Sequence, residues 1–485
     1  MELNNNTLSK FHENFLAHPE FQVSKNAIGN SNFKKVVIDR NFIQKDNKDL
    51  FSKKIDIIVK PTDQEESGRC WMFAMLNVIR LDMIKKMDLD SDFEFSQNYL
   101  FFYFKLEQAN YFLKLVKDFR HEDIDSRMNL LLFDNPVEDG GHFQMFADLV
   151  NKYGLVPKSI MDDSVQTKNT SYLNGLLKTM LREAAVKIRE SRAETVRDKI
   201  IEETLSKVYN VLVVFLGEPP SQFDWEYYKQ SNDSPSNKKK SRKRNKETPD
   251  KKKRNSVTPH RFSKKRKNKR VKKGGSNEHY KIIRDLTPKL FAKKYVPFNA
   301  DDYVVLIDYP NRNILRRYNV DYSKTMVDGS ETNYINVPID NIKHITKKSI
   351  DGGSAVWFGC DVGKYSSNFL GIMDKDMFKY KEVLGYDLEA EKDKTLESYI
   401  TELSHAMVIK GYTSRDKRVI NWMVENSWGD STGKNGNYKM ADSWFTDFVM
   451  MVAVKKKYVP RKILAVLKTK PLRLPVWCPF GGLMK

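Results

Sequence analysis

The spacing of hydrophobic residues predicts helices in the first half of the chain. Between residues 70 and 87 apolar side chains recur at helical spacing with neither Gly nor Pro among them, which predicts one long core helix. Residues 96–132 and 172–208 also have a helical pattern, and a pair of glycines leads into a further helix at 142–153. Residues 1–50 are polar with scattered Phe and no clear period, so they predict an arm with one short helix.

The second half of the chain predicts strands instead. Short runs rich in Val, Ile and aromatic residues occupy 303–309, 334–339, 355–362, 405–412, 419–426 and 448–454. Helices first and strands later favour an α+β fold with segregated layers. The predicted organisation is an N-terminal arm (1–50), a helical part (51–230), a basic insertion (231–275), a part with the sheet (276–458) and a C-terminal arm (459–485).

Charge singles out one of these segments. The chain of 485 residues carries 84 Lys and Arg against 63 Asp and Glu, a net charge of +21. Residues 231–275 hold 20 of the bases and three of the acids, so they account for +17 of it. With few apolar residues to bury, the segment cannot offset the entropy cost of ordering, which predicts disorder. Such Lys/Arg runs bind phosphates of nucleic acid and resemble nuclear localisation signals; a solvated loop without a partner is the open alternative.

The rest of the composition favours a reducing, aqueous compartment. Three cysteines, Cys70, Cys360 and Cys478, are too few for a disulfide scaffold in a chain of this length. The polar N-terminus lacks the apolar core of a secretory signal. The longest apolar runs, 211–216 and 448–454, have the length of strands and fall short of the ~18 residues that suggest a membrane span. A cytoplasmic protein without membrane association is therefore predicted, and the basic segment leaves nuclear targeting open.

The first candidate for chemistry is a cysteine at the start of the 70–87 helix. Unpaired N–H groups and the helix dipole stabilise a thiolate there, and the thiolate is the nucleophilic form of Cys70. Gln64 lies on the loop that enters the helix, and its amide could donate to an oxyanion beside the N–H of Cys70. Taken alone, the pair also fits a buried cysteine and a polar loop residue. Cys360, within an apolar run, is predicted to be a core residue.

Two later residues complete a catalytic pattern. His405 begins one predicted strand and Asn426 ends the next, 21 residues further on, so antiparallel pairing could bring them within hydrogen-bonding reach. In a Cys–His–Asn triad the histidine takes the thiol proton and the asparagine carbonyl orients the imidazole. Trp428 could shield that bond from water. Taken alone, His405 could be a buried core histidine and Asn426 a turn residue. The occurrence of Gln64, Cys70, His405 and Asn426 in this order favours acyl transfer through a cysteine nucleophile.

Several short motifs resemble those of papain-like cysteine peptidases, and more closely those of the bleomycin hydrolase family of intracellular cysteine aminopeptidases. SGRCW at 67–71 is similar to the papain signature Cys-Gly-Ser/Ala-Cys-Trp, with Ser67 in place of a cysteine that forms a disulfide in secreted papains. Other similar motifs are DGG at 139–141, YGLVPKS at 153–159, LGEPP at 216–220, NVP at 336–338, VWFGCDVGK at 356–364 and LPVW at 474–477. The resemblance covers most of 45–230 and 277–485.

The sequence departs from the family pattern in two places. Residues 231–275 have no counterpart in it, and the tail reads WCPFGG at 477–482, where the family usually has Trp-Asp-Pro-Met-Gly-Ala. The triad region is intact.

The resemblance implies a papain-like fold. A helical domain with helical insertions would carry the Cys70 helix, and an antiparallel sheet or barrel domain would carry His405 and Asn426. The resemblance also implies aminopeptidase activity on peptides, a homohexamer whose active sites face an internal channel, and a C-terminal arm that reaches into the cleft. Gly481 and Gly482 would keep the end of that arm slender.

With Trp428, these glycines are expected to belong to the substrate-binding region. No cofactor is implied, and no metal-ligand spacing occurs in the sequence. Two further hypotheses stay open: a nucleic-acid-binding or nuclear protein on this scaffold, and a Cys-dependent acyltransferase with the same triad.

Overall fold

The fold combines a helical part with one large sheet, which confirms the predicted α+β class. The computed structural model describes residues 1–45, 50–229, 280–387 and 390–481. The α-helices in these ranges are α1 (Asn5–Leu16), α2 (Pro19–Asn30), α3 (Phe33–Val36), α4 (Arg40–Lys45), α5 (Cys70–Met87), α6 (Gln97–Asp118), α7 (Arg127–Asp134), α8 (Phe143–Tyr153), α9 (Val165–Lys168), α10 (Ser171–Glu190), α11 (Glu194–Leu216), α12 (Pro288–Tyr295), α13 (Ile339–Asp351), α14 (Tyr380–Leu384), α15 (Lys392–Glu397), α16 (Asp442–Phe448) and α17 (Arg461–Leu464).

The strands in the same ranges are β1 (Lys53–Lys54), β2 (Phe223–Tyr228), β3 (Tyr280–Leu286), β4 (Tyr303–Ile307), β5 (Arg316–Val320), β6 (Tyr334–Asn336), β7 (Val356–Cys360), β8 (Ser366–Ser367), β9 (Ile372–Met373), β10 (His405–Arg415), β11 (Arg418–Glu425), β12 (Asn437–Ala441), β13 (Val449–Lys455) and β14 (Leu472–Leu474).

Strand β10 lies near the centre of the large sheet. The strand order among the described residues is β14-β5-β6-β4-β13-β7-β10-β11-β12-β9-β8, and β1 also pairs with β10. Most neighbours are antiparallel, as predicted, but β4 with β6, β5 with β14, and β9 with β12 are parallel. Along β10, Ala406 and Val408 join one hydrophobic core while Met407 and Ile409 join another. The sheet is therefore buried on both faces, which is why its central strands read as continuous apolar runs.

The helix that begins at Cys70 packs across one face of the sheet. Helix α5 contacts β10 and β7 on one side and α8 on another, so its side chains are buried almost all round. Helices α6, α10 and α11 pack against one another and extend the same core. Helices α13, α16 and α17 cover the opposite face. The predicted core helix is thus the element that joins the helical part to the strands.

Most predicted elements are confirmed. The six predicted strands are β4, β6, β7, β10, β11 and β13, with ends shifted by a few residues. The predicted helix at 142–153 is α8, and His142 is its N-cap. The stretch 96–132 divides into α6 and α7, because the side chain of Ser126 caps a new helix by accepting the N–H of Asn129. The stretch 172–208 also divides into two helices, α10 and α11.

One prediction for the helical half is wrong. Residues 1–45 form four helices, α1 to α4, rather than one. None of their residues is buried, and local signals help to form them, such as Asn4 capping α1 through the N–H of Thr7. The apolar run 211–216, whose length had argued against a membrane span, forms the end of α11. Leu212 and Leu216, four residues apart, are buried where α11 packs on α6.

A two-stranded hairpin frames the longest stretch outside the described residues. Strands β2 and β3 pair antiparallel, with Phe223 opposite Leu286 at one end and Tyr228 opposite Tyr280 at the other. The basic segment 231–275, predicted to be disordered, lies outside the described residues, between these two strands. Of the helices in the described ranges, none combines the length and the apolar content that a membrane crossing requires.

Candidate active site

Cys70 begins α5 at the point where this helix meets the sheet. The residue is only 3% exposed. Its sulfur is within hydrogen-bonding reach of the backbone N–H of Ala406, the residue after His405 on β10. Burial raises the pKa of the Cys70 thiol to about 11, although this N–H and those of the first helical turn lower it. The sulfur therefore lies at the same end of β10 as His405, in surroundings that favour the uncharged thiol.

The structure brings His405 and Asn426 together. Nε2 of His405 lies 2.8 Å from Oδ1 of Asn426. The antiparallel pairing of β10 with β11 causes this, since it sets the start of one strand beside the end of the other. The same Oδ1 accepts the N–H of Ser427 at 2.8 Å, which fixes the orientation of the amide. An amide oxygen only accepts hydrogen bonds, so Nε2 of His405 carries the proton and Nδ1 is free to accept one.

Trp428 covers this pair, as its position in the sequence predicted. Its indole stacks on the imidazole of His405 with ring centroids 4.6 Å apart and an interplanar angle of 29°. Burial lowers the pKa of His405 to about 4, against the effect of the bond to Asn426, which raises it. Taken singly, Cys70 and His405 are both uncharged at pH 7. Moving one proton from sulfur to imidazole creates two opposite charges that stabilise each other, so the two groups ionise as a pair.

Gln64 ties the loop before α5 to the turn that follows β11. Its Nε2 donates to the carbonyl of Ser67 at 2.5 Å, and its Oε1 accepts the hydroxyl of Ser427 at 2.6 Å. Its backbone N–H also donates to the carbonyl of Ser427 at 2.8 Å. An amide nitrogen carries two protons, so one N–H of Gln64 is left for a further acceptor. These contacts are compatible with the predicted oxyanion role of Gln64 and fix where its amide lies.

The loop before α5 is held by a charged residue that the sequence-based hypothesis missed. The guanidinium of Arg69 is buried and donates to the hydroxyl of Ser67 at 2.9 Å, to the carboxylate of Asp163 at 2.8 Å and to the carbonyl of Thr167 at 2.9 Å. The hydroxyl of Ser67 donates in turn to a carbonyl of its own loop at 2.6 Å. Hydrogen bonds thus hold the loop where secreted papains would have a disulfide. The sequence feature that could have indicated this role is the position of Arg69 inside the SGRCW motif.

Two motif glycines allow close contact between backbone segments around the site. A Cβ at Gly141 would lie 2.6 Å from the indole of Trp71, and a Cβ at Gly68 would lie 2.7 Å from the Cβ of Asp139. The DGG motif therefore packs directly against the SGRCW motif. Asp139 is the second residue that the sequence-based hypothesis missed, although it quoted the motif. Its carboxylate accepts the N–H of Gly68 at 3.0 Å.

The C-terminal arm packs on the body of the protein as far as Gly481. Phe480 is buried, and the guanidinium of an arginine on α7 lies 4.2 Å from the centroid of the Trp477 ring system. A Cβ at Gly481 would lie 2.4 Å from the carbonyl oxygen of Val476, so glycine is required at this close approach. Gly482, predicted to act with Gly481, lies outside the described residues.

A second buried thiol lies beneath the site. Cys360 on β7 is fully buried, as predicted, and its thiol donates to the carbonyl of His405 at 3.8 Å. In the part of the chain that the structure describes, no group of three or more His, Cys, Asp or Glu side chains is placed to hold a metal ion. The sulfur of Cys360 therefore belongs to the core that supports β10.

A cysteine at the head of a buried helix, facing a His–Asn pair on two neighbouring strands, defines a papain-like cysteine peptidase. A solved structure has the same fold over its whole length. The crystal structure of PepW from Lactobacillus rhamnosis matches with a TM-score of 0.86 and 31% sequence identity, covering 99% of each chain. The predicted papain-like fold is thereby confirmed.

The sequence profile of the Peptidase C1-like family matches residues 2–248 and 270–481, and the chain belongs to this family. Aminopeptidase C of Listeria innocua is 36% identical over 428 residues, covering 87% of this chain and 86% of the relative. Bleomycin hydrolase of Homo sapiens is 31% identical over 500 residues, covering 99% of this chain and 98% of the relative. The predicted family and the cysteine-type peptidase are confirmed. The unmatched residues are 249–269, so the expectation that all of 231–275 lacks a counterpart in the family is wrong: the profile includes 231–248 and 270–275.

Proposed function

We propose that the chain is a thiol aminopeptidase in which Cys70 is the nucleophile, His405 the general base and acid, and Asn426 the residue that orients His405. The observation that carries this proposal is the 2.8 Å bond between Nε2 of His405 and Oδ1 of Asn426, at the strand end where the Cys70 sulfur lies. That bond leaves Nδ1 of His405 as the basic nitrogen. The names of the relatives, Aminopeptidase C and bleomycin hydrolase, support the class of reaction.

The proposed reaction proceeds through a thioester. Nδ1 of His405 takes the thiol proton of Cys70 while the sulfur attacks the substrate carbonyl carbon, whose π electrons move to oxygen. The N–H of Cys70 and the remaining N–H of Gln64 donate to that oxyanion. The imidazolium then passes its proton to the leaving amine as the C–N bond breaks. Water, which loses a proton to Nδ1, cleaves the thioester and restores the thiol.

The nucleophile is tested by replacing one buried thiol and comparing it with another. Cys70→Ala should abolish hydrolysis of an aminoacyl coumarin amide while the melting temperature stays within a few degrees of the unmodified protein. Cys360→Ala, which removes a buried thiol from the core beneath the site, is the matched control and should retain most of the turnover. Full activity in Cys70→Ala would contradict the mechanism.

Selection of the substrate N-terminus is assigned to the C-terminal arm. Val476 and Gly481 line an apolar cavity of about 130 Å³ together with Glu138. Glu138 precedes Asp139, which contacts the loop before α5, so the described end of the arm lies on the side of the molecule where Cys70 begins its helix. A terminal carboxylate on this side would pair with the α-ammonium of a peptide. Cleavage would then be limited to the first residue.

The arm is tested by truncation. Deletion of residues 481–485 should lower turnover of peptides with a free N-terminus and raise cleavage of the same peptides when acetylated, because the new terminal carboxylate, on Phe480, no longer reaches the substrate ammonium. Lys485→Ala keeps a terminal carboxylate at the same distance and should preserve the preference. If the truncated enzyme still rejects acetylated peptides, the arm is not the element that determines specificity.

Assembly and location are proposed from the resemblance to the family. The chain would form a homohexamer in the cytoplasm, with its active sites on an internal channel. Sedimentation equilibrium tests the assembly, and a monomer at micromolar concentration would contradict it. An acyltransferase with the same triad is the alternative reaction, and a dipeptide substrate separates the two. The peptidase releases free amino acids, whereas the transferase needs an added acceptor.

A second candidate function, non-specific binding of nucleic acid, is supported by the +17 charge of residues 231–275. Retention by phosphates would fall steeply with salt concentration. Deleting residues 232–275 should abolish salt-sensitive retention on DNA or RNA and any nuclear enrichment, while peptide hydrolysis is unchanged. Retention that survives the deletion would contradict this role.

A further inference from the structure

One residue, Asp139, contacts the chain on both sides of Cys70. The side chain of Asp139 accepts the N–H of Gly68, two residues before Cys70, at 3.0 Å. The backbone carbonyl of Asp139 accepts the indole N–H of Trp71, the residue after Cys70, at 2.8 Å. A shift of Asp139 would therefore move the start of α5 and the sulfur with it.

The carboxylate of Asp139 has its acceptor positions filled. Oδ2 accepts the N–H of Gly68 and the hydroxyl of Thr170, while Oδ1 accepts the amide of Asn174 at 2.9 Å and pairs with the ammonium of Lys105 at 2.8 Å. The two oxygens thus accept three hydrogen bonds and contact one paired ammonium. Burial raises the pKa of Asp139, but Lys105 and these donors outweigh it and hold the pKa below the usual range. Asp139 is therefore charged.

Lys105 reaches this carboxylate from inside the helical core. Its side chain is fully buried, and its ammonium lies 5.0 Å and 5.7 Å from the ring centroids of Phe101 and Phe104 on the same helix. Burial lowers the pKa of Lys105, and the charge of Asp139 opposes that shift. A buried ammonium among aromatic rings is costly unless it is paired, so this lysine is matched to this aspartate.

The titratable groups that face Cys70 come from three elements. His405 lies on β10, Cys360 lies on β7, and Asp139 precedes α8; Arg69 on the same turn as Cys70 pairs instead with Asp163. Burial contributes most to the raised pKa of Cys70, and the negative charge of Asp139 adds to it. The pair of Glu138 with Lys178 faces Lys105 from the outer side. An unpaired carboxylate at position 139 would thus oppose ionisation of the nucleophile.

We propose that Lys105 and Asp139 form a positioning pair for Cys70, in which the carboxylate fixes the loop before α5 through Gly68 and the buried ammonium cancels the charge that would oppose a thiolate. The inference rests on the proposed function of Cys70 as the nucleophile. It assigns to Lys105 an effect on the reactivity of Cys70 that requires no contact between Lys105 and the substrate.

The electrostatic part is tested by the pH dependence of iodoacetamide alkylation of Cys70, followed by peptide mapping. Lys105→Met should raise the midpoint of alkylation by about one pH unit, because it leaves the negative charge of Asp139 uncancelled near the thiol. Lys178→Met removes the same charge from the neighbouring, partly exposed pair and should leave the midpoint unchanged. Equal midpoints for Lys105→Met and Lys178→Met would overturn the proposal.

The positioning part is tested with two neutral double variants. Lys105→Met/Asp139→Asn keeps an oxygen acceptor for Gly68, whereas Lys105→Met/Asp139→Ala removes it. Both should alkylate with the midpoint of the unmodified protein. Loss of the acceptor should lower kcat by a further ~5- to 10-fold at unchanged KM, the effect expected for one hydrogen bond.

Equal kcat in the two double variants, or a raised midpoint in both, would overturn the proposal. Comparison of the two double variants tests the proposal even if Lys105→Met alone does not fold, because neither double variant buries an unpaired charge. Failure of the proposed function is visible separately, as absence of peptide hydrolysis in the unmodified protein.

Discussion

Replacing Asn426 by alanine tests the geometry of the site most directly. The substitution removes the oxygen that accepts the N–H of His405 Nε2 at 2.8 Å and the N–H of Ser427 at 2.8 Å. His405 is then held by the stacked indole of Trp428 alone on that side. Its ring can turn, and its charged form loses a buried acceptor.

The expected loss of activity can be calculated from the missing acceptor for the charged form of His405. A hydrogen bond to a charged group contributes about 1.5–3 kcal/mol. The bond from His405 to Asn426 becomes one of this kind only after His405 has taken the proton of Cys70. The corresponding loss in kcat/KM is about 10- to 150-fold. His405→Ala removes the base itself and should cost several orders of magnitude more. Asn426→Ala should therefore be an impaired enzyme rather than an inactive one.

The assay is steady-state hydrolysis of an aminoacyl coumarin amide, with thermal unfolding measured on the same samples. Asn437→Ala is the matched control, because Asn437 lies on the neighbouring strand and donates to the backbone of its own turn. It should retain nearly full activity. If Asn426→Ala and His405→Ala lost the same activity while both stayed folded, Asn426 would be as essential as the base, and the orienting role would be refuted. Unchanged activity in Asn426→Ala would refute it equally.

Three further changes test other parts of the structure. Gln64→Ala should lower kcat by ~10²–10³ with little change in KM, and an effect confined to KM would contradict the oxyanion role. Gly141→Ala forces a Cβ to 2.6 Å from an indole ring and should destabilise the fold by about 1–3 kcal/mol, whereas Gly175→Ala, in open space on α10, should be neutral or stabilising. Burial lowers the pKa of His142 from 6.5 to about 4, so the unfolded chain binds the proton first and stability falls as pH drops through this window. His142→Gln should reduce the loss of unfolding free energy between pH 7 and 4.5 by about 2 kcal/mol, and the exposed His344→Gln should not.

The sequence was sufficient for features that depend on strand period and on neighbouring strands. His405 and Asn426 could be paired in advance because one begins an apolar run and the other ends the next, and adjacent antiparallel strands leave little freedom. Cys70 could be placed because an uninterrupted apolar helix starts there. Each of these inferences uses only short-range pattern.

The sequence was insufficient where a residue acts through a distant partner. Lys105 follows a run of four aromatic residues in the sequence, and nothing nearby shows that it is buried against Asp139. The contacts of Arg69 with Asp163 and Thr167 also join separate segments of the chain. The four N-terminal helices escaped prediction for another reason: they bury no residue and lack the dense run of apolar side chains that marks α5.

The pairing of Tyr228 with Tyr280 at the end of the β2–β3 hairpin has a consequence for protein engineering. The chain leaves the folded body and returns to it at two adjacent points, so the remaining structure requires only that these two ends be joined. The closure entropy of a flexible connection grows by only ~0.6 kcal/mol for each doubling of its length. A fluorescent domain, an affinity tag or a short two-residue turn could therefore replace the native connection. The hairpin end is thus a natural fusion point, through which the enzyme can be labelled or immobilised while both of its termini stay free.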